Sequence, residues 1–263
     1  MAAIVFLHAH PDDEASQTSG AMARAADEGH RVITVFATGG EHGQAPHDLG
    51  GQSVVEWRRA EAQAAADVLS VSRVVWLGYA DSGMSGWPQN SDPNAFAGAD
   101  LDEAAGRVAA VLDQEQAEVV VGYDWHGGYG HPDHVAVHRV AHRAAELAGR
   151  RPRLLEVTMN RDRLRAIRAA ASAAVVEMDF DPDAPMDDGN SLGTPEADIH
   201  WEVDVTEYLP RRRAALECHA SQVTDVGFFL SMPEEAFAQA FGREYYREPG
   251  CPPGMRPGWF LNP

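Results

Sequence analysis

Residues 4–14 read Ile-Val-Phe-Leu-His-Ala-His-Pro-Asp-Asp-Glu, a short apolar run followed at once by imidazole and carboxylate side chains. The four apolar residues do not alternate with polar ones, which is typical of a parallel strand buried on both faces. Directly after them come four potential metal ligands or proton carriers, His10, Asp12, Asp13 and Glu14. The stretch therefore predicts a buried strand that ends at a loop suited to binding or catalysis.

The same alternation of elements continues through the first 160 residues. Apolar runs of strand length alternate with alanine-rich, helix-favouring segments. This pattern predicts a Rossmann-like α/β fold, with a mostly parallel sheet and helices on both faces. The predicted strands are Ile4–Leu7, Val32–Phe36, Val74–Leu77, Val119–Val121 and Leu154–Val157, and the predicted helices are Ala15–Glu28, Val54–Leu69, Leu101–Glu115 and Val135–Ala148.

The C-terminal part of the chain is less regular. We expect a strand at His200–Val205, helices at Glu207–His219 and Glu234–Phe241, and coil from Pro249 onward. The basic run Arg211–Arg213 is expected on a solvated helix face. Because no repeat or low-complexity linker interrupts the chain, residues 1–263 are predicted to form a single domain.

A second histidine- and aspartate-rich stretch, Gly130-His131-Pro132-Asp133-His134, follows the fourth predicted strand. Ligand sites in open parallel sheets lie beyond the carboxyl ends of the strands. Imidazole and carboxylate together are usual ligands of divalent transition metals, zinc first. The two stretches predict one metal site built from two loops. Asp12 and Asp13 alone would fit an N-cap with acidic residues in the first turn.

The spacing within the first loop suggests separate roles for its acidic residues. His10 and Asp13 are three positions apart, so that a tight turn can aim both at one point. Asp12 would then lie beside the metal and could act as general base for a bound water. Catalytic zinc usually has three protein ligands, and from the residues alone either His131 or His134 could be the third.

The composition of the chain indicates which binding partners and which cellular compartment to expect. The formal charge of −19 over 263 residues disfavours nucleic acid and anionic membrane surfaces. No segment approaches the roughly 20 apolar residues of a membrane span. The two cysteines form no disulfide framework, which fits a reducing cytoplasm. No heptad or interface stripe is visible, which leaves a homo-oligomer open.

Several longer motifs carry a family resemblance. The sequences Ala-His-Pro-Asp-Asp-Glu (9–14) and His-Pro-Asp-His (131–134) together resemble the PIG-L/LmbE family of zinc-dependent N-deacetylases. The resemblance covers most of the chain. Its mycothiol branch, with an N-acetylglucosaminyl-inositol deacetylase and a mycothiol S-conjugate amidase, is the more similar one. Further matching elements are Arg58-x-x-Glu61, Asp81–Met84, Gly127–Gly130, Thr194–Pro195 and His219–Gln222.

The resemblance implies a role for each matching residue. It makes His10, Asp13 and His134 the ligands of zinc, for which iron is an alternative. Asp12 becomes the general base and later the acid. The other implied catalytic residues are His131, which stabilises the oxyanion, Asp133, which orients an imidazole, and Tyr129, which contacts the substrate carbonyl. The implied substrate-binding residues are Arg58, Asp81, Glu41 and His219.

The leading functional prediction is a zinc-dependent hydrolase that removes an acetyl group from a small N-acetylated amino sugar. The alternatives within this chemistry are a mycothiol S-conjugate amidase and a deacetylase that tailors a natural product. A non-catalytic sugar- or nucleotide-binding Rossmann module is a different class, but no GxGxxG run follows the first strand. Phosphoryl chemistry with magnesium is disfavoured because that ion prefers all-oxygen ligands.

Some residues depart from the family pattern or are expected to have no role. Trp125 and His126 precede the glycine run where the mycothiol enzymes more often have a small or amide pair. Trp125 and Trp87 are therefore predicted walls of the substrate pocket. His138 and His142 are expected to be surface residues.

Overall fold

The computed structural model describes residues 1–173, 181–186 and 188–261. These residues form one mixed sheet of eight strands together with eight α-helices. The strands are β1 (Ala3–His8), β2 (Arg31–Thr38), β3 (Arg73–Tyr79), β4 (Val119–Tyr123), β5 (Arg153–Thr158), β6 (Trp201–Asp204), β7 (Arg243–Arg247) and β8 (Arg256–Pro257). The helices are α1 (Ser19–Asp27), α2 (Val54–Leu69), α3 (Leu101–Glu115), α4 (Pro132–Leu147), α5 (Arg161–Ala173), α6 (Leu209–Cys218), α7 (Asp225–Ser231) and α8 (Glu234–Phe241).

The strand order of the sheet explains where a site can form. The order is β3-β2-β1-β4-β5-β7-β6-β8, and the first five strands are parallel. The chain moves outward from β1 to β3 and then crosses back to β4 on the other side of β1. Such a reversal opens a crevice at the carboxyl ends of the two central strands. It therefore brings the loops after β1 and β4 together, and the predicted α/β fold is confirmed.

Two helix layers cover the sheet. Helices α1, α2 and α6 pack against one another, as do α3 and α4. Right-handed crossovers put these two groups on opposite faces, because the chain changes direction after β3. Between the layers Ile4, Val5, Phe6 and Leu7 of β1 are completely buried. No helix among the described residues is long and apolar enough to cross a membrane.

Two helix starts differ from the predicted ones. Helix α4 begins at Pro132 and not at Val135, because proline suits the first helical position and His131 is the N-cap. The Nδ1 atom of His131 accepts a hydrogen bond from the Asp133 amide at 3.1 Å. The first predicted helix is divided into a π-helical turn at Glu14–Thr18 and then α1.

The prediction of a solvated run at Arg211–Arg213 was wrong for its central residue. Arg212 is only 2% exposed and forms an ion pair with Glu244 of β7. Glu244 also accepts the backbone amides of Gly20 at 2.9 Å and Ala21 at 3.1 Å. The buried pair thus joins α6 and β7 to the start of α1. Strand β7 and helices α5 and α7 were not predicted, and the short β8 lies in the tail that was expected to be coil.

Candidate metal centre

Three imidazoles meet in the crevice between the loops after β1 and β4. The ring centroid of His10 lies 4.7 Å from that of His131 and 5.4 Å from that of His134. One nitrogen from each ring can be chosen so that all three lie within 4.8 Å of one another. All three residues are buried. The two sequence stretches therefore form one cluster, as their positions after β1 and β4 suggest.

His134 has one ring nitrogen bonded and the other free. Its Nδ1 lies 3.0 Å from the Gly127 carbonyl, which can only accept, so the proton is on Nδ1. Its buried Nε2 has no hydrogen-bond partner and lies 3.4 Å from Asp13 Oδ1. A buried lone pair without a partner is unfavourable unless something binds it. This nitrogen therefore fits a metal ligand.

His10 is oriented by a buried carboxylate. Its Nε2 lies 3.0 Å from Asp133 Oδ2, and its Nδ1 lies 3.6 Å from Asp13 Oδ2. Asp133 is in turn held by the amide of Ser82 at 2.9 Å and by the Ser82 hydroxyl. Hydrogen bonds of this kind fix the orientation and tautomer of metal-binding histidines. Asp133 thus lies where it can orient His10, and its role in catalysis stays a prediction.

The electrostatics of the cluster favour a cation. Burial alone would lower the pKa of His10, but Asp13, Asp133 and Asp81 raise it well above its usual value. Burial alone would likewise raise the pKa of Asp13, but His134 and His10 hold it well below its ordinary range. Three carboxylates around one imidazole leave excess negative charge in a buried place. A divalent cation would compensate that charge.

Two sets of three ligands that include both His10 and His134 are geometrically open. One is His10, Asp13 and His134, where the Asp13 carboxylate has one oxygen toward each histidine. The other replaces Asp13 with His131. The Nδ1 of His131 is occupied as an acceptor by the Asp133 amide, and burial lowers the pKa of His131 to about 3. A neutral His131 with Nδ1 accepting carries its proton on Nε2, which suits a donor better than a ligand.

Asp12 lies at the edge of the cluster in an unusual backbone conformation. Its φ is +99°, which is rare for a residue other than glycine. Arg58 Nη2 lies 3.2 Å from its Oδ2, and its amide donates to Glu14 Oε2 at 2.9 Å. Burial raises the pKa of Asp12 to about 6, although Arg58 opposes the shift and Asp13 adds to it. Strain of this kind concentrates at functional sites.

A buried pair supports this strained loop from below. Glu14 Oε1 lies 2.6 Å from His219 Nε2, and His219 is completely buried. Although burial alone would lower the pKa of His219, Glu14 raises it. The connection runs from His219 through Glu14 to the amide of Asp12. His219 therefore holds the loop, and the substrate contact implied by the resemblance stays a prediction.

The other predicted substrate residues surround the same loops. Arg58 is buried and donates to the carbonyls of Pro11 and Gly40 as well as to Asp12. Asp81 Oδ1 lies 3.6 Å from His10 Nε2, and the Asp81 amide donates to Glu41 Oε1 at 2.9 Å. These contacts bring Arg58, Asp81 and Glu41 to the site. Their role in substrate binding stays a prediction.

Aromatic residues flank the cluster and its approach. The ring of Tyr129 lies 4.9 Å from that of His134 in an edge-to-face arrangement. Trp125 and Trp87, on the loops after β4 and β3, are 50% and 45% exposed. His8 is a core imidazole, because Tyr123 and Thr18 contact its two ring nitrogens at 3.0 and 3.1 Å.

Some supporting residues were not recognised in the sequence. Ser82 holds Asp133, and Tyr123 contacts both His8 and the amide of Ala9. The signal for Ser82 is its place in the Asp-Ser-Gly-Met run. The Arg58-x-x-Glu61 and His219–Gln222 motifs are in direct contact, because Glu61 accepts both the amide and the hydroxyl of Ser221, at 2.9 and 2.6 Å.

Known proteins resemble this chain in sequence and in fold. Residues 5–145 match the family model described as PIG-L, GlcNAc-PI de-N-acetylase. A protein of Geodermatophilus obscurus, named 1D-myo-inositol 2-acetamido-2-deoxy-alpha-D-glucopyranoside deacetylase, is 37% identical over 97% of this chain and 95% of its own. A protein of the same name from Streptomyces avermitilis is 38% identical over 92% and 90%. The conserved protein TT1542 from Thermus thermophilus shares the fold, with a TM-score of 0.60, 21% identity and 95% coverage of each chain.

Proposed function

Because this chain belongs to the PIG-L family of GlcNAc-PI de-N-acetylases, we propose that it is a metal-dependent deacetylase of an N-acetylglucosaminyl-inositol. The relatives named above carry that activity in their names and match this chain almost end to end. The chain itself supplies the independent support, in a cluster of histidine and aspartate side chains at the switch point of the sheet.

One observation carries the proposal. The buried Nε2 of His134 has no partner and faces Asp13, while His10 is oriented by Asp133 beside it. This arrangement supports His10, Asp13 and His134 as the ligands of one metal ion. Two imidazoles and a carboxylate suit zinc, and also ferrous iron. When bound, such an ion acts as a Lewis acid toward an amide carbonyl and lowers the pKa of a bound water.

The remaining residues divide the proton transfers between them. Asp12 accepts the proton of the attacking water and delivers it to the leaving amine, which an amide needs because the unprotonated amine is a poor leaving group. Arg58 contacts the Asp12 carboxylate and holds it at the edge of the cluster. His131 donates its Nε2–H toward the carbonyl oxygen as negative charge develops there. Tyr129 lies beside His134 and contacts the same carbonyl.

The sugar and inositol hydroxyls would be bound by Arg58, Asp81, Glu41 and His219. For Asp81 the supporting observation is that its Oδ1 lies 3.6 Å from His10 Nε2 at the edge of the cluster. A deacetylase that tailors a natural product and a mycothiol S-conjugate amidase are the alternatives. These alternatives are worth testing because the exposed Trp125 and Trp87 offer apolar surface to a larger substrate.

The test compares two substrates on the purified, zinc-loaded or iron-loaded chain. N-acetylglucosaminyl-inositol and a mycothiol S-conjugate are supplied side by side, and the freed amine is measured with fluorescamine. Faster release from the acetylated sugar, lost on treatment with a chelator and restored by metal, is the expected result. Preference for the conjugate would instead assign the amidase activity. Equal release with and without metal would contradict the proposal.

A further inference from the structure

A second group of metal-binding residue types lies farther along α4. His138 and His142 follow His134 by one and two helical turns, on the same helix. Both were expected to be surface residues, yet their side chains are only 20% and 36% exposed. They face Glu156 of β5, which is 2% exposed. This group plays no part in the proposed deacetylation.

The three side chains converge on a small volume. The ring centroids of His138 and His142 are 4.4 Å apart. Glu156 Oε1 lies 2.6 Å from His142 Nε2 and 3.3 Å from His138 Nδ1. A set of ligand atoms, one from each residue, lies within 4.8 Å of one another. Ligand atoms around tetrahedral zinc are roughly 3.3 Å apart, so that an ion would replace the hydrogen bond between His142 Nε2 and Glu156 Oε1 and would be reached by Nε2 of His138.

Neighbouring groups already orient two of these ligands. Arg247 Nη1 donates to Glu156 Oε2 at 2.8 Å and leaves Oε1 directed at the imidazoles. His138 Nδ1 donates to the Tyr123 carbonyl at 3.1 Å, so that in the neutral ring Nε2 carries the lone pair. Outer hydrogen bonds of this kind are what fixes histidine and carboxylate ligands in metal sites. The group is therefore organised before any ion arrives.

We infer that His138, His142 and Glu156 form a second binding site for a divalent transition metal, separate from the deacetylase centre. Two imidazoles four residues apart on one helix face, with one carboxylate, fit zinc and disfavour calcium and magnesium. The partial exposure of both histidines lets an ion enter and leaves a coordination position for water. The ion would join α4 to β5 and so stabilise the helix that carries His131 and His134.

Calorimetric zinc titration of the chelator-stripped full chain tests the inference. We expect two zinc ions per wild-type chain and one in the His142→Ala variant. One ion should also remain in a double variant, His10→Ala with His134→Ala, in which the deacetylase centre cannot bind. The exposed His47 offers a matched control, since His47→Ala removes an imidazole elsewhere and should still bind two ions.

The double variant separates this site from the proposed function. Zinc should raise its melting temperature, and adding His142→Ala or His138→Ala should abolish both that rise and the remaining binding. Adding Glu156→Gln should weaken binding at least tenfold; unchanged affinity would overturn the assignment of the carboxylate. Absence of zinc binding in the double variant, with wild-type circular dichroism, would overturn the second site. Failure of the deacetylase centre to bind would show instead as a single wild-type ion that His142→Ala removes.

Discussion

Asp12 has a strained backbone conformation in the site. A φ of +99° costs on the order of 1–3 kcal/mol for a side chain of this kind. Glu14, Arg58 and the helix after the loop hold the residue there, since the Asp12 carbonyl accepts the amides of Ala15 and Ser16 at 3.1 and 3.0 Å. The strain directs the carboxylate to the edge of the cluster, where its side chain is still 24% exposed.

Ser82 should act on the metal centre without touching it. In Ser82→Ala the Asp133 carboxylate loses the hydroxyl that orients it, so that His10 is held less firmly. We expect the zinc affinity of the deacetylase centre to fall about 10- to 100-fold, as is usual for such outer contacts. Competition against a chelator of known affinity measures the change. The exposed Ser85 provides the control Ser85→Ala, and equal affinity in both variants would refute this role.

Gly127 should be required for a different reason. Its φ is +60°, and a Cβ atom there would lie 2.3 Å from the Cβ of His134. Gly127→Ala should therefore displace His134 and abolish zinc binding at the deacetylase centre. Gly86 has a φ of +82° with nothing within 4 Å of an added Cβ, so that Gly86→Ala imposes the backbone strain alone. Gly86→Ala should lose about 1–2 kcal/mol of stability, and Gly127→Ala should lose more because of the clash with His134. Zinc binding retained by Gly127→Ala combined with His142→Ala, which removes the second site, would contradict this role.

At the scale of elements, the start of α4 serves as both a helix end and part of the site. His131 caps the helix through Nδ1, and this bond leaves Nε2–H as a donor. Pro132 occupies the first turn, where its missing amide costs nothing. The His-Pro-Asp-His sequence thus sets where the helix begins and which nitrogen of His131 is protonated.

The capping box at the start of α2 lies outside the candidate site, so it gives a prediction about stability alone. Ser53 accepts the amide of Glu56, and Glu56 accepts the amide of Ser53 in return. Ser53→Ala should lower the free energy of unfolding by about 1 kcal/mol. Urea unfolding gives the value, and the deacetylation rate should stay unchanged. A fall in rate without loss of stability would show that α2 is coupled to the site in some other way.

The sequence was sufficient to predict the elements with strong patterns. The strands β1 to β5 are apolar runs, and each loop that was expected to carry chemistry follows one of them. The π-helical turn and the capping role of His131 depend on contacts that periodicity does not reveal. The pairing of Ser82 with Asp133 joins residues 51 positions apart and needs the sheet order. Strand β7 was not predicted because its sequence, Arg-Glu-Tyr-Tyr-Arg, is largely polar.

At the scale of the whole molecule, the topology explains why the two motifs meet. Strands β1 and β4 are neighbours although more than 100 residues separate them, because the direction of the chain reverses between β3 and β4. The C-terminal strands extend the same sheet beyond β5. Strand β7 pairs with β5, and Glu248 adds side-chain contacts, because it accepts Arg153 of β5 at 2.9 and 3.0 Å and the indole of Trp201 of β6 at 2.8 Å.

The stability of this attachment should depend on pH. Partial burial alone would raise the pKa of Glu248, but Arg153 and Trp201 hold it below its ordinary value of 4.5. Its contribution is therefore present above pH 4.5 and is lost as the pH falls through the lowered pKa. Glu248→Gln should be on the order of 1–2 kcal/mol less stable than wild type at pH 7.

Urea unfolding at a series of pH values measures the difference between the two proteins. The gap between wild type and Glu248→Gln should shrink as the pH falls below about 4.5. Glu235→Gln, on the exposed face of α8, should show no such gap. A gap of constant size at every pH would mean that the side-chain shape matters and the charge does not.

The central claim is that Asp12 transfers the proton at a metal centre held by other residues. The substitution Asp12→Asn tests this role, because asparagine tolerates positive φ and keeps the shape of the side chain. We predict that Asp12→Asn binds zinc at the deacetylase centre as wild type does. Release of acetate from N-acetylglucosaminyl-inositol should fall at least 100-fold. Wild-type turnover by zinc-loaded Asp12→Asn would contradict the account.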